Sequence, residues 1–60
     1  MAIIIKSHRD GYNLQQVEST MTVGQLIAHL QRFNDNEKIF VSHDGGYMYS
    51  GVHEEDFVER

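Results

Sequence analysis

Residues 22–33, TVGQLIAHLQRF, constrain this chain more than any other stretch, because they carry a helix start and a helical apolar stripe together. Thr22 is suited to the N-cap, its hydroxyl accepting from a free backbone N–H of the first turn. Gln25, three residues on, can reach back to the Thr22 N–H and complete a capping box. Met21 before the cap and Leu26 within the helix are placed to meet as a hydrophobic staple. Val23, Leu26, Ile27, Leu30 and Phe33 then recur at the three- and four-residue spacing of one helical face. Gln25, His29 and Gln31 lie away from that stripe. Gly24 costs about 1 kcal/mol relative to Ala inside a helix. Its first-turn position softens that cost, and its missing side chain offers room for a strand. Asn34-Asp35-Asn36 ends the helix, with Asn34 expected as a left-handed residue just past it.

One helix must be matched by other elements that bury its stripe. Sixty residues make a single domain, 1–60. A chain of this size buries only about 60% of its unfolded surface and is marginal alone. Cysteine is absent, so neither a disulfide nor a thiolate zinc site supplies the shortfall. That leaves a good core, a non-thiolate metal or self-association, and 40% hydrophobic residues favour the last.

The remaining apolar stretches read as strands. Residues 2–7 contain Ile3-Ile4-Ile5, a β-branched run apolar on both faces. Asp10-Gly11 is a turn pair, and residues 12–18 read as the returning strand. Their parity is imperfect: Tyr12 and Leu14 share a face that Val17 does not, which implies a bulge or fraying near Gln15-Gln16. Residues 38–43 hold the uninterrupted Ile39-Phe40-Val41, a strand covered on both faces. Asp44-Gly45-Gly46 is a hairpin turn. Residues 47–52 return, with Tyr47 and Tyr49 on one face, Met48 on the other, and Gly51 at a bend. Phe57 and Val58 fold back on the sheet edge as a short strand or a single turn. The expectation is an α+β fold, β-β-α-β-β with a short final element. Its small antiparallel sheet carries one helix on one face. The other face, with part of the isoleucine run, is left for a dimer contact.

The most individual stretch is His43-Asp44-Gly45-Gly46-Tyr47. Read for function, it is a ligand loop: glycine N–H groups approach an anion closely, while Tyr47 or Tyr49 stacks on a ring. Read structurally, it is a tight hairpin with two tyrosines across it. The structural reading is the stronger, since the loop has no basic residue and no P-loop pattern. Arg9, in the other polar loop, could clamp an anion, against the simpler role of a surface ion pair. His43, Asp44, Gly45, Gly46, Tyr47, Tyr49 and Arg9 are therefore the candidate ligand or partner site.

Other chemistry is weakly supported. A metal site would need two or three of His8, His29, His43 and His53 to converge, with Asp10 or Asp44, and no pair has ligand spacing. His8 and His43 both end strands and could meet if those strands are neighbours, giving a pH-sensitive contact. Glu54-Glu55-Asp56 reads as a solvated acidic face. No Ser/His/Asp arrangement has recognisable context, so no catalytic residue, metal or cofactor is assigned and the chain is read as non-enzymatic. A net charge of −4, with five Lys and Arg scattered, argues against nucleic acid as a partner. The run Ala2-Ile3-Ile4-Ile5 is too short for a signal segment and no stretch is long enough to span a membrane, so a cytoplasmic location is expected.

Across residues 21–52 the chain also has a recognisable pattern. It runs Met21-Thr22-Val23-Gly24-Gln25-Leu26-Ile27, then Leu30 and Phe33, then Ile39-Phe40-Val41-Ser42-His43-Asp44 and Gly46-Tyr47. This resembles small proteins of phages, prophages and gut bacteria, mostly without an assigned function. They open with T-V-G-x-L-I-x-x-L, continue with an apolar strand and close with an S-x-D-x-G-Y turn. The first twenty residues fall outside the resemblance, which makes the N-terminal segment an addition specific to this branch. The resemblance implies an anti-defence protein that binds a host protein in the host cytoplasm, and small size with a spare apolar sheet face adds the expectation of a homo-oligomer, dimer or larger. The alternative it implies is an oligomeric sponge that sequesters a nucleotide-type signal, with Tyr47, Tyr49, the Gly45-Gly46 backbone and Arg9 around the ligand. A third reading, a DNA mimic presenting Asp35, Glu37, Glu54, Glu55, Asp56 and Glu59, is weakened by the modest net charge.

Overall fold

The computed structural model describes the whole sequence, Met1–Arg60. Four regular elements form in the order β-α-β-β: β1 (Ala2–Lys6), α1 (Val23–Leu30), β2 (Lys38–His43) and β3 (Met48–Gly51). Short 3₁₀ turns cover Leu14–Gln16, Asp44–Gly46 and Glu54–Asp56. The three strands make one sheet in the order β1-β2-β3. The fold class is α+β, as the sequence indicates.

The sheet is mixed rather than antiparallel. β1 runs parallel to β2, with Ile3 beside Ile39 and Ile5 beside Val41. β2 and β3 are antiparallel, with Val41 beside Ser50 and Ser42 beside Tyr49. Parallel neighbours cannot be joined by a tight hairpin. Residues 7–37, helix included, therefore form a crossover, and the expected strand over 12–18 is absent. Local bonding explains why. The Asn13 side chain accepts from the Gln16 N–H at 3.2 Å, and the Gln16 side chain accepts from the Tyr12 N–H. These bonds wind the segment into a 3₁₀ turn. Gly11 is required beside it, because a Cβ there would sit 2.4 Å from Gln16 Cβ. The uneven parity of Tyr12, Leu14 and Val17 was the sequence's trace of this turn.

The helix start is as read. Thr22 Oγ1 accepts from the Gln25 N–H at 3.2 Å, and Gln25 Oε1 accepts from the Thr22 N–H at 2.9 Å. The end is earlier than expected, at Leu30 with Gln31 as its cap. Arg32 and Phe33 N–H groups bond to the His29 and Leu30 carbonyls at 3.2 and 3.0 Å, tightening the last turn. That closure needs no left-handed residue, and Asn34 is not one. Asn34 instead organises the following turn, accepting from the Asn36 N–H through its side chain and from the Glu37 N–H through its carbonyl. Gly24 faces open space rather than a strand.

Alternation along the strands sorts the sheet faces. Ile3, Ile5, Ile39, Val41 and His43 share the face toward α1, while Ile4, Lys6, Phe40, Ser42 and Tyr49 share the other. Tyr47 lies in the β2–β3 loop rather than in β3. Gly51 is paired with Phe40 inside β3 and is not a bend. Phe57 and Val58 follow a single 3₁₀ turn and form no strand at the sheet edge.

The core is thin. Ser42 is the one buried residue, and no hydrophobic side chain is buried. Ile3, Val17, Leu30, Ile39, Phe40 and Val41 are half-buried. On the helix stripe, Val23 remains 77% exposed and Ile27 52%. The accessible surface is 6072 Å² for a 7.0 kDa chain, where a folded monomer of that mass has about 4,000 Å². The radius of gyration is 12.8 Å, against about 10 Å for a compact domain of this length. No helix is long and apolar enough to cross a membrane.

Candidate functional site

The parallel pairing of β1 and β2 decides where the polar residues go. The carboxyl ends of both strands lie side by side, so Ser7, His8 and Arg9 arrive next to His43, Asp44 and the glycine pair. The Ser7 N–H and hydroxyl both donate to the Ser42 carbonyl, at 3.2 and 2.6 Å, and fix this junction. Arg9 Nη2 then reaches Asp44 Oδ1 at 3.2 Å. Both side chains are largely exposed, so the pair is screened and holds the loop lightly.

The loop itself is a tight connection. Asp44, Gly45 and Gly46 all have positive φ, at 51°, 67° and 101°. The glycines take that region without strain, and Asp is among the few other residues that tolerate it. Tyr47 closes the turn, its N–H donating to the Asp44 carbonyl at 3.4 Å.

The structure divides the sequence-derived site among four places. Gly45, Gly46 and Tyr49 line a depression of about 450 Å³ on the sheet face away from α1, together with Ile4, Lys6, Ser7, His8 and Ser42. Arg9 and Asp44 form the ion pair at its rim. Tyr47 stands 90% exposed in the loop, apart from Tyr49. His43 lies on the opposite face, in a groove of about 620 Å³ lined by Ile5, Leu26, Leu30, Ile39, Val41, Val52 and Phe57, among others. His8 and His43 consequently face different sides of the sheet and do not meet, although their strands are neighbours.

Two features escaped sequence reasoning. One is the contribution of Lys6, Ser7 and His8 to the glycine loop. The signal existed: a strand, a helix and a second apolar strand form a parallel unit, which brings both strand ends together. The other is Ser50, whose Oγ lies 3.0 Å from His43 Nε2. A serine beside an imidazole is the first element of an activated nucleophile. Here no carboxylate bonds the other ring nitrogen, so nothing orients the imidazole as a base. Asp56, in the same groove, uses its carboxylate to accept from the His53 N–H at 2.8 Å. The pair serves as a cross-strand contact between β2 and β3. No group of three His, Asp or Glu side chains converges to hold a metal.

Comparison with protein-family models, with curated protein sequences and with solved structures finds no match.

Proposed function

We propose that the protein is a non-enzymatic binding protein that works as a homo-oligomer and recognises a host protein. The observation that carries this reading is the surface. The half-built core leaves Leu26 and Phe57 exposed in one apolar groove, and Val23 and Ile27 exposed on the helix that borders it. Contiguous apolar surface of this kind marks a contact with another macromolecule. The anti-defence role in a phage-infected cell follows from the resemblance of residues 21–52 to small phage proteins.

A second reading has its own observation. The depression beside Gly45 and Gly46 contains Lys6, the cationic group that the loop alone lacks, and His8, whose ring nitrogens add hydrogen-bonding capacity. Tyr49 lies at the same place, so an anionic ligand with a ring, such as a nucleotide, has both a charge partner and a stacking partner there.

Native mass spectrometry of the purified protein separates the two. A homo-oligomer of bare polypeptide mass supports protein binding. A homo-oligomer carrying nucleotide-sized extra mass, lost on Lys6→Ala, supports the sequestering role. A monomer at micromolar concentration overturns both.

A further inference from the structure

We propose that two copies pair through β1, antiparallel and centred on Ile4, to make one continuous six-stranded sheet. The proposal rests on the homo-oligomer reading above and specifies its interface.

β1 has a free edge. β1 pairs only with β2, so its other side is open. In a parallel pair, alternate residues of a strand bond to the neighbour while those between point their N–H and C=O away. The Ser7 N–H donates to the Ser42 carbonyl, which places Ser7, Ile5 and Ile3 on the inward set. Ala2, Ile4 and Lys6 then present their backbone groups outward. Exposed edges of this kind template further pairing unless blocked by proline, a bulge or an inward charge. β1 has none of these, and its one charge, Lys6, is at its end.

The edge is also self-complementary. With Ile4 on a two-fold axis, Ile4 faces Ile4 of the second copy and Ala2 faces Lys6 in both directions. Every outward N–H and C=O of the strand is then used, in three facing pairs that exchange two bonds each. No like charges face each other. On the α1 side, Ile3 meets Ile5 of the second copy twice. The groove face of one copy thereby continues into that of the other, with both α1 helices on the same side. β3, the competing edge, is shorter and ends in Gly51, which weakens a strand.

The exposed area is sufficient for such a pairing. A stable interface removes about 800 Å² from each partner. Each copy exposes about 2,000 Å² more than a folded monomer of its mass. Burial on that scale is available around β1 and the exposed α1 stripe without disturbing the sheet.

A cysteine scan tests this directly, because the chain has no cysteine of its own. In the proposed register the two Ile4 Cα atoms lie about 5.5 Å apart, within disulfide reach. Ile4→Cys under mild oxidant should give a covalent dimer, whereas Met48→Cys on β3 and Val23→Cys on α1 should cross-link far more slowly. Ile4→Pro removes an outward N–H and no bond to β2, so it should weaken association on the order of tenfold or more while leaving the circular dichroism of the protomer in place. If the Ile4→Cys variant is an oligomer in native mass spectrometry and its thiol stays reduced, the β1 interface is overturned but the homo-oligomer reading stands. Faster cross-linking at Met48→Cys than at Ile4→Cys does the same and moves the interface to β3. A monomer overturns both.

Discussion

β2 and α1 are stabilised in opposite ways. β2 is flanked on both sides, and five of its six residues are at least half-buried. Its strand structure comes from its neighbours: Ile5 and Ser50 sit beside Val41, and Lys6 and Tyr49 beside Ser42. α1 has the better local signals, with a reciprocal capping box and a closed last turn. Yet of its eight residues only Leu30 is even half-buried. The helix is specified by sequence-local chemistry and supported by little packing, whereas the strand is the reverse. A short isolated helix is marginal in water, because nucleation is costly and tertiary burial supplies most helical stability. The contrast leaves α1 with apolar surface that the single chain does not cover, and the proposed second copy is a candidate to cover it.

The largest expected effect comes from breaking the packed partner. Val41→Asp places a carboxylate in the central strand between Ile5 and Ser50, where no cation faces it. A half-buried unpaired charge should cost about 3 kcal/mol, enough to unfold a chain with so thin a core. Both strand and helix signals in far-ultraviolet circular dichroism should be lost together. Retention of the helix signal alone would show that α1 stands without the sheet and would remove the argument for a supporting surface.

A smaller effect isolates the local chemistry. Thr22→Ala deletes the bond from the Gln25 N–H and leaves Gln25 with half a capping box. The expected loss is about 1 kcal/mol, read as a lower urea midpoint with little change in slope. If α1 were instead held mainly by packing within the chain, the loss would fall toward zero. The same measurement at high and low protein concentration sharpens the point. Mass action should make the wild-type midpoint rise with concentration if the second copy supports the fold.

The same division explains what was legible in the sequence. The capping box at Thr22 and Gln25 was readable because both its bonds lie within four residues. The β2–β3 hairpin was readable because Asp44-Gly45-Gly46 demands positive φ locally. The segment over 12–18 was misread because its fate depends on β1 pairing with β2, a contact between residues more than thirty positions apart. Its aromatic and aliphatic residues suit a strand, and nothing nearby says that the strand's place in the sheet is already taken. The candidate site suffered in the same way. The structure brings Gly45, Gly46 and Tyr49 to one depression and pairs Arg9 with Asp44, a partner that spacing along the chain does not indicate. Lys6 was not connected with the loop, and His8 only through His43, because an antiparallel hairpin over residues 2–18 would have paired β1 elsewhere. His43 was grouped with the loop by adjacency, although strand alternation puts its side chain on the opposite face from Ser42.

The smallest effect tests whether α1 is limited by its own backbone. Gly24 lies in the first turn of the helix, and a Cβ built on it meets nothing within 4 Å. Its φ is not in the left-handed region, which in this chain holds only Asp44, Gly45 and Gly46. Alanine therefore fits without strain, and it removes the extra freedom that glycine carries in the unfolded chain. Gly24→Ala should raise stability by about 0.5 kcal/mol, visible as a modest rise in melting temperature at fixed protein concentration. Because the added methyl points into open space, the gain should persist in a variant that no longer associates, such as Ile4→Pro. A gain that vanished there, or turned into a loss in the wild-type background, would mean that the open space beside Gly24 is filled in the oligomer. Gly24 would then belong to the surface on which the second copy sits.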